Sequence, residues 1–230
     1  MKVFAISDLH LSFSQDKPMD IFGAHWNNYT EKISNNWSNK VGDDDVVVIA
    51  GDVSWAMRIE DAVKDVNWIK NLPGKKIIIR GNHDYWWGSL TKVRQIAGEI
   101  CVLQNDAVKY GNNVFCGSRG WILPNSKDFG KNDEKIYARE LIRLKMSLDN
   151  ANRLRQDGDK LFAILHYPPI DGDEPDDQME KLFKAYGVET VIYGHVHGKP
   201  IGDANTKVIN GIKYYITSCD LLNFDPIEIV

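Results

Sequence analysis

The chain has 230 residues, of which 43% are hydrophobic, and its formal net charge is −4. That hydrophobic fraction can form a substantial buried core, which excludes an intrinsically disordered chain. The acidic balance argues against an extended nucleic-acid-binding surface, because proteins that coat a duplex present a basic face. The length suits one domain, so we expect a single domain over residues 1–230.

The sequence favours a cytoplasmic location. No apolar run approaches the roughly 18–20 residues that a membrane span requires. The first residues become polar at Ser7 and Asp8, which is too early for a signal peptide. The three cysteines are scattered and form no CxxC pair, so we expect reduced thiols and no role in metal binding.

Short β-rich runs alternate with stretches of helical periodicity along the chain. Strands are predicted at residues 2–7, 46–50, 76–80, 114–117, 161–165, 188–193 and 213–217. Helices are predicted at residues 26–39, 59–71, 90–97, 135–156 and 178–186. This alternation indicates an α/β protein with a largely parallel sheet, and turn residues at 111–113 and 210–211 favour antiparallel pairs in a second sheet. We therefore predict two packed mixed sheets flanked by helices.

Five predicted strands are each followed, within a few positions, by residues that can bind a metal ion. The residues that follow these strand ends are Asp8 and His10, Asp52, Asn82 with His83 and Asp84, His166, and His195 with His197. Ligands of open α/β sheets bind beyond the carboxyl ends of the strands. The five loops are therefore expected to converge on one site.

The residue types indicate which cations this site would hold. Two adjacent divalent cations need a bridging carboxylate, and Asp, Asn and His donors suit Mn, Fe or Zn. Glycines precede Asp52, Asn82 and His195, where they let backbone approach closely. If the chain is extended, the alternate spacing of Asp8 and His10 directs both side chains the same way, and the same holds for His195 and His197.

These segments resemble the five signature motifs of the calcineurin-like metallophosphoesterase superfamily, in the same order along the chain. They are Asp8-Leu9-His10, Gly51-Asp52, Gly81-Asn82-His83-Asp84, His166 and Gly194-His195-Val196-His197. The resemblance implies a four-layer α/β/β/α sandwich and two divalent metal ions. It implies that one ion is held by Asp8, His10, Asp52 and His197. It implies that the other is held by Asp52, Asn82, His166 and His195, with Asp52 as the bridge.

The same resemblance implies hydrolysis of a phosphoester, in which a metal-bridging hydroxide attacks phosphorus and His83 acts as general acid. The chain differs from the protein Ser/Thr phosphatase branch, in which the second motif continues as Gly-Asp-x-Val-Asp-Arg-Gly. Here Trp55 stands in place of the acid and Ala56 in place of the arginine. We therefore expect a phosphodiester or a small nucleotide-like substrate rather than a phosphoprotein. What orients His83 is left open, with Asp84 as a candidate.

Aromatic residues accompany the predicted site, and the loop over residues 119–134 is long enough to be a lid or a binding loop. Trp55, Trp86, Trp121 and Tyr167 are candidate substrate-binding residues that can stack on a base or an aryl group. The alternative is ordinary packing around the loops. Three other functions stay open: a nuclease of DNA repair, a non-enzymatic scaffold of the same fold, and a hydrolase of non-phosphate esters. The sequence does not indicate an oligomeric state.

Overall fold

The computed structural model describes the backbone of residues 1–230 and their side chains, except the side chain of Asp203. A five-stranded sheet has the strand order β13-β1-β2-β3-β4. Its strands are β1 (Val3–Ala5), β2 (Val46–Ile49), β3 (Lys75–Ile78), β4 (Cys101–Val102) and β13 (Ile227–Glu228). All neighbouring pairs are parallel except β1 with β13.

A six-stranded sheet has the order β11-β12-β10-β7-β6-β5. Its strands are β5 (Ala107–Tyr110), β6 (Asn113–Ser118), β7 (Lys160–Leu165), β10 (Thr190–Tyr193), β11 (Thr206–Ile209) and β12 (Ile212–Ile216). The pairs β5–β6 and β11–β12 are antiparallel and the others parallel. A separate two-stranded ribbon pairs β8 (Ile170–Asp171) with β9 (Glu174–Pro175).

Five α-helices cover the outer faces of the two large sheets. They are α1 (Tyr29–Lys40), α2 (Ile59–Lys70), α3 (Leu90–Ala97), α4 (Asp133–Leu154) and α5 (Asp177–Tyr186). The helices α1 to α3 pack on the five-stranded sheet, and α4 and α5 pack on the six-stranded sheet. Each buries an apolar stripe, such as Ile33 and Trp37 of α1 or Leu144 and Leu148 of α4.

Alternation along the strands separates three hydrophobic layers. In β2, Val46 and Val48 face the six-stranded sheet, whereas Val47 and Ile49 face the helices. The layer between the sheets includes Phe115 and Phe162, whose rings stack at 4.9 Å. Strands covered on both faces need apolar side chains at every position, which explains the continuous Val/Ile run of β2. Three apolar layers separated by two sheets form the expected four-layer α/β/β/α sandwich.

The predicted elements are all present, with ends that shift by one to three residues in most of them. The predicted turns at 111–113 and 210–211 do join antiparallel pairs. The edge strands β4, β5, β11 and β13 and the ribbon β8–β9 were not predicted as strands. Four of these strands, β4, β8, β9 and β13, have only two residues, so their pairing depends on a neighbouring strand rather than on their own pattern. Among the helices of the described residues, none combines the length and the apolarity needed to cross a bilayer.

Replacing Phe162 by Ala should lower the free energy of unfolding by about 3–5 kcal/mol, because the ring fills the space between the sheets. Urea unfolding followed by circular dichroism measures this loss. Val208→Ala is the control, since Val208 lies on the edge strand β11 and is 66% exposed. That variant should change stability by only about 0.5 kcal/mol or less. Equal losses in both variants would contradict the assignment of Phe162 to the inner layer.

Candidate metal centre

The carboxyl ends of both sheets meet at one place and bring the predicted ligands together. Two groups have ligand atoms that all lie within 4.8 Å of one another: Asp8 with His10 and His197, and Asp8 with Asp52 and His166. The Asp52 Oδ2 atom lies 3.8 Å from His10 Nε2 and 3.5 Å from His166 Nε2. Asp52 thus faces one histidine from each of the two predicted ligand sets. Asp8, which was predicted to bind one ion only, is the residue that belongs to both groups.

The backbone at the centre is left-handed rather than extended. Four of the predicted ligands have positive φ: Asp8 at 56°, His10 at 46°, Asp52 at 51° and His195 at 74°. The expectation that extended chain directs Asp8 and His10 the same way is therefore wrong. These tight turns are held by backbone hydrogen bonds, with the N–H of Asp8 donating to Gly51 O and that of His10 donating to Asp52 O. Such conformations carry strain and persist because surrounding structure enforces them.

Two glycines make room for the carboxylates. A Cβ atom at Gly81 would overlap the Asp52 carboxylate, and one at Gly194 would overlap the Asp8 carboxylate. The glycines were expected to allow close approach of backbone to the metal ions. The close approach in the structure is between each glycine and an acidic side chain of another loop.

Burial sets the electrostatics of the two carboxylates. Asp8 and Asp52 are almost completely buried. Burial raises the pKa of Asp8 to about 7, and burial together with the negative charge of Asp8 raises the pKa of Asp52 to about 9. Burial also lowers the pKa of His195 to about 4 and holds the pKa values of His10 and His166 well below their usual value. Neutral imidazoles beside buried acidic side chains form a donor set suited to divalent metal ions.

The orientation of His166 fits a bound cation. Its Nδ1 lies 2.9 Å from the carbonyl oxygen of Ala50, which can only accept a hydrogen bond, so the proton is on Nδ1. The lone pair of Nε2 then faces Asn82 Oδ1 at 2.6 Å, and the same oxygen lies 2.8 Å from His195 Nδ1. Two acceptors that face each other are stabilised when a cation lies close to both.

Asp220 orients His197, and sequence reasoning missed it. The Nδ1 atom of His197 lies 3.2 Å from Asp220 Oδ1, and the N–H of Gly198 donates to Asp220 Oδ2 at 2.9 Å. Burial lowers the pKa of His197, but the hydrogen bond to Asp220 and the charges of Asp8 and Asp220 outweigh it and raise that pKa overall. With Nδ1–H given to Asp220, Nε2 is the nitrogen left to bind a metal ion. Asp220 follows β12, so the rule of polar residues after strand ends applied to this strand would have found it.

The sequence suggested Asp84 as a candidate for orienting His83, but the Asp84 carboxylate has other partners. Its buried carboxylate accepts hydrogen bonds from the backbone N–H groups of Val53, Ser54 and Gly81, at 2.7 to 3.1 Å. It also accepts from the indole N–H of Trp86 at 2.9 Å. Asp84 thereby ties the loop after β2 to the loop after β3, and these loops carry Asp52 and Asn82.

His83 is positioned by its backbone and by an aromatic neighbour. Its N–H donates to Asp52 Oδ1 at 2.8 Å, and its ring lies 4.5 Å from the ring of Trp55. Trp55 occupies the place of the acid in the protein-phosphatase motif, so a ring contact replaces a carboxylate at this position. Partial burial lowers the pKa of His83.

Two cavities flank the centre, and three of the four candidate aromatic residues line them. The His83 cavity has a volume of about 750 Å³ and is lined by Trp55, His83, His10 and His197 among others. The His195 cavity has a volume of about 320 Å³ and is lined by Trp121, Tyr167, His195 and residues of the 119–134 loop.

Trp86 lines neither of these cavities. It is only 2% exposed and packs in the core between the five-stranded sheet and its helices. We therefore correct the prediction that Trp86 binds substrate.

Comparison with known proteins identifies the family. The calcineurin-like phosphoesterase profile matches residues 1–199. The chain belongs to this family. It is therefore a metal-dependent phosphoesterase, and the scaffold alternative is not supported.

Solved structures share the fold of this phosphoesterase at low sequence identity. Phosphopantetheinyl hydrolase from Mycobacterium tuberculosis is 13% identical, with a TM-score of 0.55 and coverage of 94% of this chain and 88% of that one. The protein TT1561 of Thermus thermophilus is 11% identical, with a TM-score of 0.56 and coverage of 98% of this chain and 96% of that one.

A sequence relative matches a shorter part of the chain. The Gene 66 protein of Mycobacterium phage L5 is 31% identical over 78 residues. That match spans 34% of this chain and only 37% of the phage protein.

Asp220→Asn should weaken binding of Mn²⁺ to one site roughly 10–100-fold, which is the usual effect of removing a carboxylate that orients a ligating histidine. Titration calorimetry on the metal-stripped phosphoesterase measures the affinity of each site. Asp225→Asn is a matched control, because Asp225 pairs with Lys40 at the surface. Unchanged Mn²⁺ affinity in Asp220→Asn would show that His197 is oriented by other contacts.

Proposed function

We propose that this phosphoesterase hydrolyses small phosphodiesters at a centre of two divalent cations, Mn, Fe or Zn. Asp8, His10, Asp52 and His197 would hold one ion, and Asp52, Asn82, His166 and His195 would hold the other. The observation that carries the proposal is the position of the Asp52 carboxylate, which faces His10 and His166 at 3.8 and 3.5 Å. Bound cations of this kind supply a hydroxide at neutral pH and offset the charge of the phosphoryl group.

The residues of the chain have separate tasks in this reaction. The bond between phosphorus and the leaving oxygen breaks, water supplies the new oxygen, and the leaving group departs as an alcohol with a proton. His83 would donate that proton, since its ring borders the larger cavity and its backbone is held by Asp52. Asp84 and Asp220 would keep the ligand loops and the His197 ring in position.

Two features favour a diester over a phosphoprotein. A diester has a substituent on each side of phosphorus, and a cavity lies on each side of the centre, one bordered by His195 and one by His83. The phosphate-binding arginine of the protein-phosphatase motif is replaced by Ala56, which is buried. A diester needs less cationic help than a monoester, because it carries one negative charge fewer.

We also propose that residues 1–230 form one metallophosphoesterase domain. Ile229, near the end of the chain, packs in the same inner layer as Val3 and Phe162. A core that joins both ends of the chain supports a single folding unit.

The metal-stripped protein should regain turnover of methyl 4-nitrophenyl phosphate when Mn²⁺ is added, and it should hydrolyse this diester faster than a phosphopeptide. Nitrophenolate release and phosphate release measure the two reactions. Asp52→Asn should fold but lose at least one metal ion and nearly all activity, because the shared charge is gone. A clear preference for the phosphopeptide, or normal turnover by Asp52→Asn, would refute the proposal.

His83→Ala should retain both metal ions and lose about 10²–10⁴-fold in rate on alkyl esters, which is the usual size of general-acid catalysis. The loss should be much smaller on a nitrophenyl ester, because nitrophenolate leaves without a proton. Rates of wild type and variant on this pair of leaving groups provide the measurement. Equal losses on both esters would assign His83 to phosphate binding or to loop structure instead.

A further inference from the structure

The His83 cavity is larger and more apolar than a phosphate group requires. Its lining includes His10 and His197, which are predicted metal ligands, and His83. Its volume of about 750 Å³ lies in the range of cavities that enclose a whole organic ligand rather than a phosphate group alone. A substituent that occupies this space would lie on the side of phosphorus that faces His83.

The apolar wall comes from the segment between β1 and α1. Two short 3₁₀ helices, Met19–Phe22 and Ala24–Trp26, supply the side chains of Met19, Phe22 and Trp26. Phe22 is 61% exposed and lines the cavity, so its apolar surface is accessible to a ligand there. Met19 is unbranched and adaptable, so it suits contact with a flexible ligand.

Two of the aromatic side chains that line this cavity, Trp55 and Trp26, offer little surface for stacking a nucleobase. The Trp55 ring is stacked on His10 at 4.6 Å, lies 4.5 Å from the His83 ring, and has Lys17 Nζ 4.7 Å from its centre. Its indole N–H points at Met19 Sδ, 3.1 Å away. Trp26 is almost fully buried. A base that stacks on ring faces would have only Phe22 to use, whereas an alkyl chain can also contact the apolar edges and methyl groups of the wall.

We propose that the His83 cavity binds an aliphatic chain esterified to the scissile phosphate as its leaving group. The chain would contact Phe22 and the cavity-facing edges of the otherwise buried Met19 and Trp26, and Lys199 is also part of the cavity wall. This inference rests on the proposed function. It specifies the small diester of that proposal as an aliphatic rather than a nucleotide-like one.

A series of methyl n-alkyl phosphates from dimethyl to methyl hexyl, used as monomers with Mn²⁺, tests the inference. Each buried methylene contributes about 0.8 kcal/mol, which corresponds to a rise in kcat/KM of about fourfold per carbon until the cavity is filled. Release of methyl phosphate, followed by ³¹P NMR, is expected because the longer alcohol leaves. Rates independent of chain length, or release of the alkyl phosphate instead, would overturn the assignment.

Two variants in the 3₁₀ helix Met19–Phe22 distinguish a contact with the alkyl chain from a general effect of changing this helix. Phe22→Ser should reduce the hexyl-to-methyl ratio of kcat/KM by roughly tenfold or more, because it removes apolar surface from the cavity. Ile21→Ser is the matched control, since Ile21 is 73% exposed and adjoins Phe22 in the chain but does not line the cavity. Equal changes of the ratio in both variants would count against the proposed contact.

Further substrates identify the source of the chain and separate the two proposals. Turnover of the monomeric esters but not of phosphatidylglycerol vesicles would indicate a water-soluble alkyl ester, and turnover of both would indicate a membrane lipid. Either outcome supports an aliphatic ligand, whereas preference for thymidine methyl phosphate over methyl butyl phosphate would refute it. Turnover of methyl 4-nitrophenyl phosphate with a flat alkyl series would refute this inference alone. No turnover of any phosphodiester would refute the proposed function as well.

Discussion

Two acidic side chains, Asp8 and Asp52, are buried where the carboxyl ends of two sheets meet, and burial raises the pKa of both, so that they do not ionise together readily. Burying a charge costs free energy unless an opposite charge or hydrogen bonds accompany it. Three of the histidines around them, His10, His166 and His195, are held neutral by the same burial. These three histidines therefore do not supply a positive charge that would balance an ionised carboxylate. A divalent cation bound here would stabilise the ionised form of both acidic side chains. Metal binding and the stability of the surrounding loops should therefore be coupled.

The loops at the carboxyl ends are organised to hold these carboxylates in place. Asp84 links the loops after β2 and β3 through backbone N–H groups, and the loops after β1 and β2 share backbone hydrogen bonds. Several predicted ligands have left-handed backbone conformations, which turn the chain sharply directly after the strand ends. Ligands from different strands therefore lie within one small volume. Gly81 and Gly194 leave the space that the acidic side chains fill. Ligand geometry thus depends on several loops at once rather than on one motif.

The two sides of the centre differ in chemistry. The His195 cavity is lined by the 119–134 loop, including Asp128, and by residues that follow β7, including Asp171. The His83 cavity is formed largely by the segment between β1 and α1, and most of its wall there is apolar. The sheets fix the positions of the strand ends that precede the predicted metal ligands, whereas connecting segments form most of both cavities. Substrate choice can therefore vary in this fold without disturbing the metal ligands.

The sequence by itself determined the main strands and helices, because the buried strands must be apolar at every position and the helices must bury one stripe. It also determined which polar residues converge, since parallel strands of a sheet share one carboxyl end. Only the tertiary structure decided the two-residue edge strands, whose partners are distant in the chain. It alone decided the left-handed turns, the exclusion of Trp86 from the cavities, and the roles of Asp84 and Asp220. These features depend on contacts between residues up to about two hundred positions apart, such as Asp8 with His195, and local sequence patterns carry no record of such contacts.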